Sequence, residues 1–217
     1  MRKQKINGQC CPLTNNIFCG NGIRRPLPAR FSVIFQSGGY NRAMNNFFGH
    51  LKTVIMHKHL VFKYCCRVGI PLQGLVHDLS KFSPAEFRPS VHYFKGTSSP
   101  IGAERREKGY SSAWLHHKAI NKHHWEYWVE FRDDGTEYYV KMPMRFVKEM
   151  LCDWLSAGKT YNRKTWQQHF PLDYFHAHES YYKLNPETKA FALKVLEMIK
   201  SEGEDAALDW LRKQKDY

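Results

Sequence analysis

An aspartate sits on the apolar face of a helix-forming stretch, and that placement restricts what the chain can fold into. The segment PMRFVKEMLCDWLSAGK, residues 143–159, opens on a proline and carries apolar residues at helical spacing, with Gly158 marking its end. Asp153 falls on the same face as Phe146, Met150 and Ala157. Burying a lone carboxylate costs several kcal/mol, so a fold that turns this face inward must bring a cation to Asp153. An Arg or Lys partner would do, and so would a metal ion.

The rest of the chain is consistent with a helical bundle built around that face. Residues 46–68 place Phe47, Leu51, Val54, Ile55, Val61, Phe62 and Cys65 at helical spacing and end at Gly69 before Pro71. A short helix is expected around 72–82, and SPAE at 83–86 reads as a capping box, with Ser83 as cap and Glu86 completing it. Residues 96–110 read as a polar loop, 111–130 as helix-compatible, and Asp133-Asp134-Gly135 as a turn. Further helices are expected from 171, after the cap NPET at 185–188, and over 204–214. Only Glu137 to Val140 hints at a strand. The expected fold class is all-α.

Charge separates the front of the chain from this bundle. Eleven of the 33 Lys and Arg lie in residues 1–77, where there is no acid at all, and Asp78 is the first Asp or Glu. Beyond that point the charges nearly balance, so the net +13 belongs to the front and forms no basic stripe. Residues 1–43, rich in Asn, Gly, Pro and Arg, are expected to be a flexible, disordered tail, and 44–217 the helical domain. The tail resembles a transit peptide in composition but lacks an amphipathic period, and Met44 is an alternative start. No apolar run is long enough to cross a bilayer and no signal peptide is present, which leaves the cytoplasm as the expected location. The six cysteines lack CxxC spacing and read as reduced thiols.

The histidines carry the chemistry. In HDLSK, His77 and Asp78 on one short helix can reach a common cation, and imidazole with carboxylate suits Mn, Fe, Co or Zn. His57 faces the same way as Val54 and Val61, whereas His59 lies on the opposite side of its helix. A buried histidine bonded to a backbone carbonyl is the plain alternative for His57 alone. WLHHKAINKHHWEYW, residues 114–128, holds two HH pairs seven residues apart, so that His117 and His124 share one face and His116 and His123 the next. We take His117 and His124 as inward; a shift of one residue exchanges them for His116 and His123.

The order His57, His77-Asp78, paired histidines, Asp153 resembles the HD-domain metal-dependent phosphohydrolase superfamily over about residues 50–158. That resemblance implies an HD-like bundle and makes Lys81, in the HD-x-x-K position, the expected phosphate contact. A second resemblance covers nearly all of the chain from Met44. GLVHDLSKFSPAEF, SPIGAER, LHHK and NKHHWEYW are similar to motifs of an uncharacterised bacterial family, a domain of unknown function, which brings no activity.

The expected function is therefore phosphoester hydrolysis by a water activated at one or two divalent transition-metal ions. His57, His77, Asp78 and Asp153 would hold the first ion; in a two-metal version Asp78 bridges to a second held by His117 and His124. Asp78 and Lys81 are the candidate catalytic residues, with Lys81, Arg105 and Arg106 as phosphate contacts. Glu86, Asn121 and Glu126 are expected to orient the histidines. The expected partner is a small phosphorylated substrate such as a nucleotide, whose base Trp114, Trp125, Tyr127 or Trp128 could stack on. A di-iron oxygenase using the same ligands and a non-catalytic nucleic-acid-binding module are the competing readings, the latter predicting salt-sensitive binding.

Overall fold

The computed structural model describes residues 37–217. Nine α-helices occur among them: α1 Ser37–Arg67, α2 Pro71–Val76, α3 Pro84–His92, α4 Pro100–Lys108, α5 Ser112–Ile120, α6 Met144–Tyr161, α7 Phe170–Ala177, α8 Pro186–Glu202 and α9 Glu204–Lys213. One antiparallel hairpin, β1 Val129–Phe131 and β2 Glu137–Tyr139, pairs Val129 with Tyr139 and Phe131 with Glu137. The chain is all-α, as expected. No helix among the described residues is long and apolar enough to cross a membrane.

α1 is the spine of the molecule and packs mainly on α6 and α2. Val61 and Cys65 from α1, with Val68 just after it, meet Val147, Met150, Leu151 and Leu155 from α6, all essentially excluded from solvent. Phe191, Val195, Leu196 and Ile199, the expected inward face of α8, are buried with Leu208 and Leu211 of α9. Asn185 caps α8 by accepting from the Glu187 N–H, and Pro186 occupies the first turn. Leu208→Ala should cost about 2–5 kcal/mol, visible as a lower thermal midpoint, because the α8–α9 contact cannot close over the cavity.

Several elements differ from the sequence expectation. α1 begins at Ser37, so residues 37–43, assigned to the tail, form its first turns. The rest of that tail, with Cys10, Cys11 and Cys19, lies outside the described residues; Cys65 and Cys152 are buried free thiols and Cys66 is exposed. The polar stretch 96–110 is largely helix α4. Pro100 starts it, Gly109 at φ +80° ends it, and the buried Glu104 accepts hydrogen bonds from Ser111, Ser112 and Lys108. Helix 111–130 stops at Ile120, and Trp125–Trp128 form only a 3₁₀ turn before the hairpin. Gly158 does not end α6, which runs on to Tyr161. A Cβ at Gly158 would lie 2.6 Å from Trp166 Cζ3, so glycine is there for close packing.

Candidate metal centre

Three structural choices bring the chemistry together. The first is a close approach of α2 to α1: a Cβ at Gly74 would lie 2.5 Å from Cys65 Cβ and 3.3 Å from Phe62 Cα. Only glycine lets α2 dock there, and docking sets His77, the residue after α2, against α1. The second is a break. His77 and Asp78 do not lie on one helix as expected. His77 is extended (ψ 128°) and Asp78 is left-handed, at φ 53° and ψ 29°, the one non-glycine residue with positive φ among the described residues. That conformation is unfavourable for most side chains and is tolerated best by Asn and Asp. It turns both side chains inward, and Leu79–Phe82 continues as a 3₁₀ turn. The third is the α1–α6 packing, which faces His57 toward Asp153, both buried.

The resulting cluster has two halves that share Asp78. His57, His77, Asp78 and Asp153 form one set, and Asp78, His117, His123 and His124 form the other; within each set the ligand atoms lie within 4.8 Å of one another. His57 Nε2 is 2.9 Å from Asp153 Oδ1, and His77 Nε2 is 3.2 Å from Asp78 Oδ2. On the second side Asp78 Oδ1 is 3.3 Å from His117 Nε2 and 3.4 Å from His123 Nε2. These distances are short, yet the atoms are not aligned for hydrogen bonds. His57 Nε2, His77 Nε2, both Asp78 oxygens, His123 Nε2 and His124 Nε2 are all buried without a hydrogen-bond partner. The Lys81 ammonium, 2.6 Å from Asp78 Oδ2, compensates only one of these six. The other polar atoms gathered in the interior would be costly in a metal-free design, and they are the donor types that hold transition metals.

The remaining ring nitrogens are occupied. Glu149, one turn before Asp153 on α6, places Oε1 2.8 Å from His77 Nδ1 and 3.1 Å from His123 Nδ1, while Gln73 donates to its other oxygen. Glu86 Oε2 is 2.7 Å from His117 Nδ1 and its Oε1 2.7 Å from His116 Nδ1. A carboxylate on Nδ1 keeps a proton there, so that the Nε2 lone pair faces the cluster once Nε2 is deprotonated. Asn121 Nδ2 donates to Ser80 Oγ and to the His117 carbonyl, which ties the end of α5 to the 3₁₀ turn.

Several residues play other parts than expected. Glu86 does not complete a capping box with Ser83, whose hydroxyl caps nothing; it turns to the histidines instead. His124 and His117 do face the cluster, joined by His123, while His116 stays at the rim on Glu86. The break at Asn121 ends the helical phase on which the face assignment depended. Glu126 orients no histidine: its Oε1 accepts from Tyr181 Oη at 3.3 Å. Arg105 and Arg106 are exposed on α4, the first over the Trp114 ring and the second lining a groove with Arg42, His92 and Lys95. Lys81 is at the cluster, its Nζ 2.6 Å from Asp78 Oδ2.

The electrostatics are those of a tightly paired cluster. Burial opposes ionisation of Asp78, but His77, Lys81 and His117 hold its pKa well below the usual carboxylate range. Asp153 is driven down in the same way by His57, His77 and His123. Burial would lower His77, yet Asp78, Glu149 and Asp153 push it up to about 10. His124, buried beside His123 and His117, goes well below its ordinary value and is neutral. Burial also lowers Lys81, and Asp78 and Asp153 more than reverse this, so its ammonium stays charged.

A family model described as "Family of unknown function (DUF5662)" matches residues 46–198. That span contains every residue of the two ligand sets. No curated protein and no solved structure matches the chain.

Proposed function

The chain belongs to DUF5662, a family of unknown function, and we propose that it is an HD-type metal-dependent phosphohydrolase acting in the cytoplasm on a small phosphorylated substrate. The observation that carries this reading is the sharing of one carboxylate, Asp78, by two buried ligand sets with an ammonium at its edge. The first set offers two imidazoles and two carboxylates, the second three imidazoles and the shared carboxylate; both suit Mn, Fe, Co or Zn.

Ions bound there would supply the acidification of a water and neutralise phosphoryl charge. The chain's own residues do the rest. Glu149 and Glu86 fix the tautomers of His77, His123 and His117. Lys81, partly exposed and held positive by Asp78 and Asp153, is the donor for a phosphoryl oxygen beside the cluster.

Metal analysis of the wild type and Lys81→Ala, followed by a phosphoester panel, tests this. One or two transition-metal ions per chain are expected in both proteins. Turnover should fall by about 10²–10³-fold in the variant, the size seen when one donor to developing charge is removed. A folded wild type that takes up no metal on reconstitution sinks the reading. Iron with oxygen-dependent turnover replaces it with the di-iron oxygenase.

A further inference from the structure

Trp114 stands between the second ligand set and a separate concavity. Its ring stacks on His117 with centroids 5.5 Å apart and planes at 29°, and meets His124 edge-on at 4.7 Å. The same residue lines a cleft of about 350 Å³ together with Trp125, Tyr181, Arg105, Lys118 and Glu126. Three of the sequence motifs that the metal centre leaves partly unexplained meet there. SPIGAER supplies Arg105, LHHK supplies Lys118, and NKHHWEYW supplies Trp125 and Glu126.

The lining selects a ligand chemistry. Trp125 and Tyr181 meet at right angles, 5.4 Å between centroids, and the Arg105 guanidinium lies 5.5 Å over Trp114. Aromatic faces combined with cations suit a planar group attached to an anion, and the volume falls within the range of small-molecule clefts, roughly 300–1,000 Å³. Glu126 adds a demand for donors. Its Oε2 is buried with no hydrogen-bond partner, and its Oε1 receives only the long contact from Tyr181. Burial raises the Glu126 pKa, which a pair of ligand donors would offset by favouring the ionised carboxyl. That form accepts only, and two parallel N–H donors would match it. Guanine presents that pair on its Watson–Crick edge; adenine and cytosine present one donor beside an acceptor, and uracil one donor between two acceptors.

We propose that this cleft is a nucleobase subsite in which Glu126 selects guanine, so that the substrate is a guanine nucleotide with its phosphate directed to the metal centre. This deepens the phosphohydrolase reading and rests on it for the destination of the phosphate. The base contact itself needs no metal.

Quenching of intrinsic tryptophan fluorescence tests the base contact with guanosine, adenosine and ribose 5-phosphate as probes on the purified protein. Guanosine should saturate the signal at least about 10-fold more tightly than either other probe, the worth of stacking plus one matched edge. Glu126→Gln should bring guanosine and adenosine within about 2-fold of each other, and Trp125→Leu should weaken both nucleosides by about 10-fold. Equal affinity for the two nucleosides in the wild type overturns the proposal. So does binding of ribose 5-phosphate as tight as that of guanosine, or a preference untouched by Glu126→Gln. Hydrolysis of bis(4-nitrophenyl) phosphate by manganese-loaded wild type reports the metal centre alone, since this probe has no nucleobase. Turnover of that probe without guanosine selectivity removes the subsite and leaves the phosphohydrolase; selectivity without turnover does the reverse.

Discussion

Asp78→Asn should remove metal from both ligand sets at once, and phosphoester turnover should fall on the order of 10³-fold or more. The substitution is chosen for the backbone. Asn tolerates the left-handed conformation that Asp78 adopts at φ 53°, whereas Ala would add strain of about 1–2 kcal/mol and confuse folding with ligation. The carboxamide keeps the shape but replaces one acceptor by a donor aimed at a cation site. Metal content measured beside a circular-dichroism melt separates the outcomes: a folded protein without ions is expected. Folded Asp78→Asn that retains both ions would show that the shared carboxylate is not a ligand. In the metal-free protein the same change should lower the His77 pKa from about 10, since Asp78 is its strongest favourable charge.

Glu149→Ala is the second large effect, and it acts through the two histidines that Glu149 holds. One oxygen of Glu149 serves Nδ1 of both His77 and His123, which belong to different ligand sets. Loss of such a support weakens metal binding by about 10–100-fold, and here both ions should weaken together in a chelator competition. Weakening of one set alone would show that the second contact is incidental. The variant also carries a pH signature. Burial disfavours the Glu149 carboxylate, but hydrogen bonds and charge from His123 and His77 pull its pKa to about 2. A depressed carboxylate stabilises the fold above its ordinary pKa, about 4.3, and loses that contribution as pH falls toward 2. Melting temperatures of metal-free wild type and variant should therefore differ most near neutrality and converge in acid. His77 has the opposite sign: its contribution is full below about 6.5 and is lost as pH rises toward 10.

Much of the centre could be read from periodicity alone. Asp153 on an apolar face and His57 between Val54 and Val61 are buried and face each other, because α1 and α6 are long, regular and packed along those faces. The helix-forming stretches of α8 and α9 were equally plain. What escaped depends on departures from regularity. Treating His77 and Asp78 as one helix hid the left-handed joint, and treating 111–130 as one helix hid the break at Asn121 that admits His123 beside His124. α4 was hidden by its polarity, since its caps and a buried glutamate, not an apolar stripe, hold it. Glu149 had a signal that went unused: it is a second acid one turn before Asp153, only about 40° away around α6. Two carboxylates on one inward stripe ask for more than one imidazole.

The left-handed joint at Asp78 also has a topological consequence. Ligands reach the centre from α1, from that joint, from α5, from the loop after it and from α6, so bound ions would tie together segments from residue 57 to residue 153. Such a tie acts as a reversible staple: it restricts the unfolded chain over a loop of roughly 100 residues, as a long-range disulfide would. The α3–α5 layer meets α6 through little else than these side chains, while α1 and α6 share an apolar core. Removal of metal should therefore raise amide exchange first in α5 and the turn at Leu79–Phe82, with α6 and α8 remaining protected, so that a bound ion would also be the clasp of its own domain.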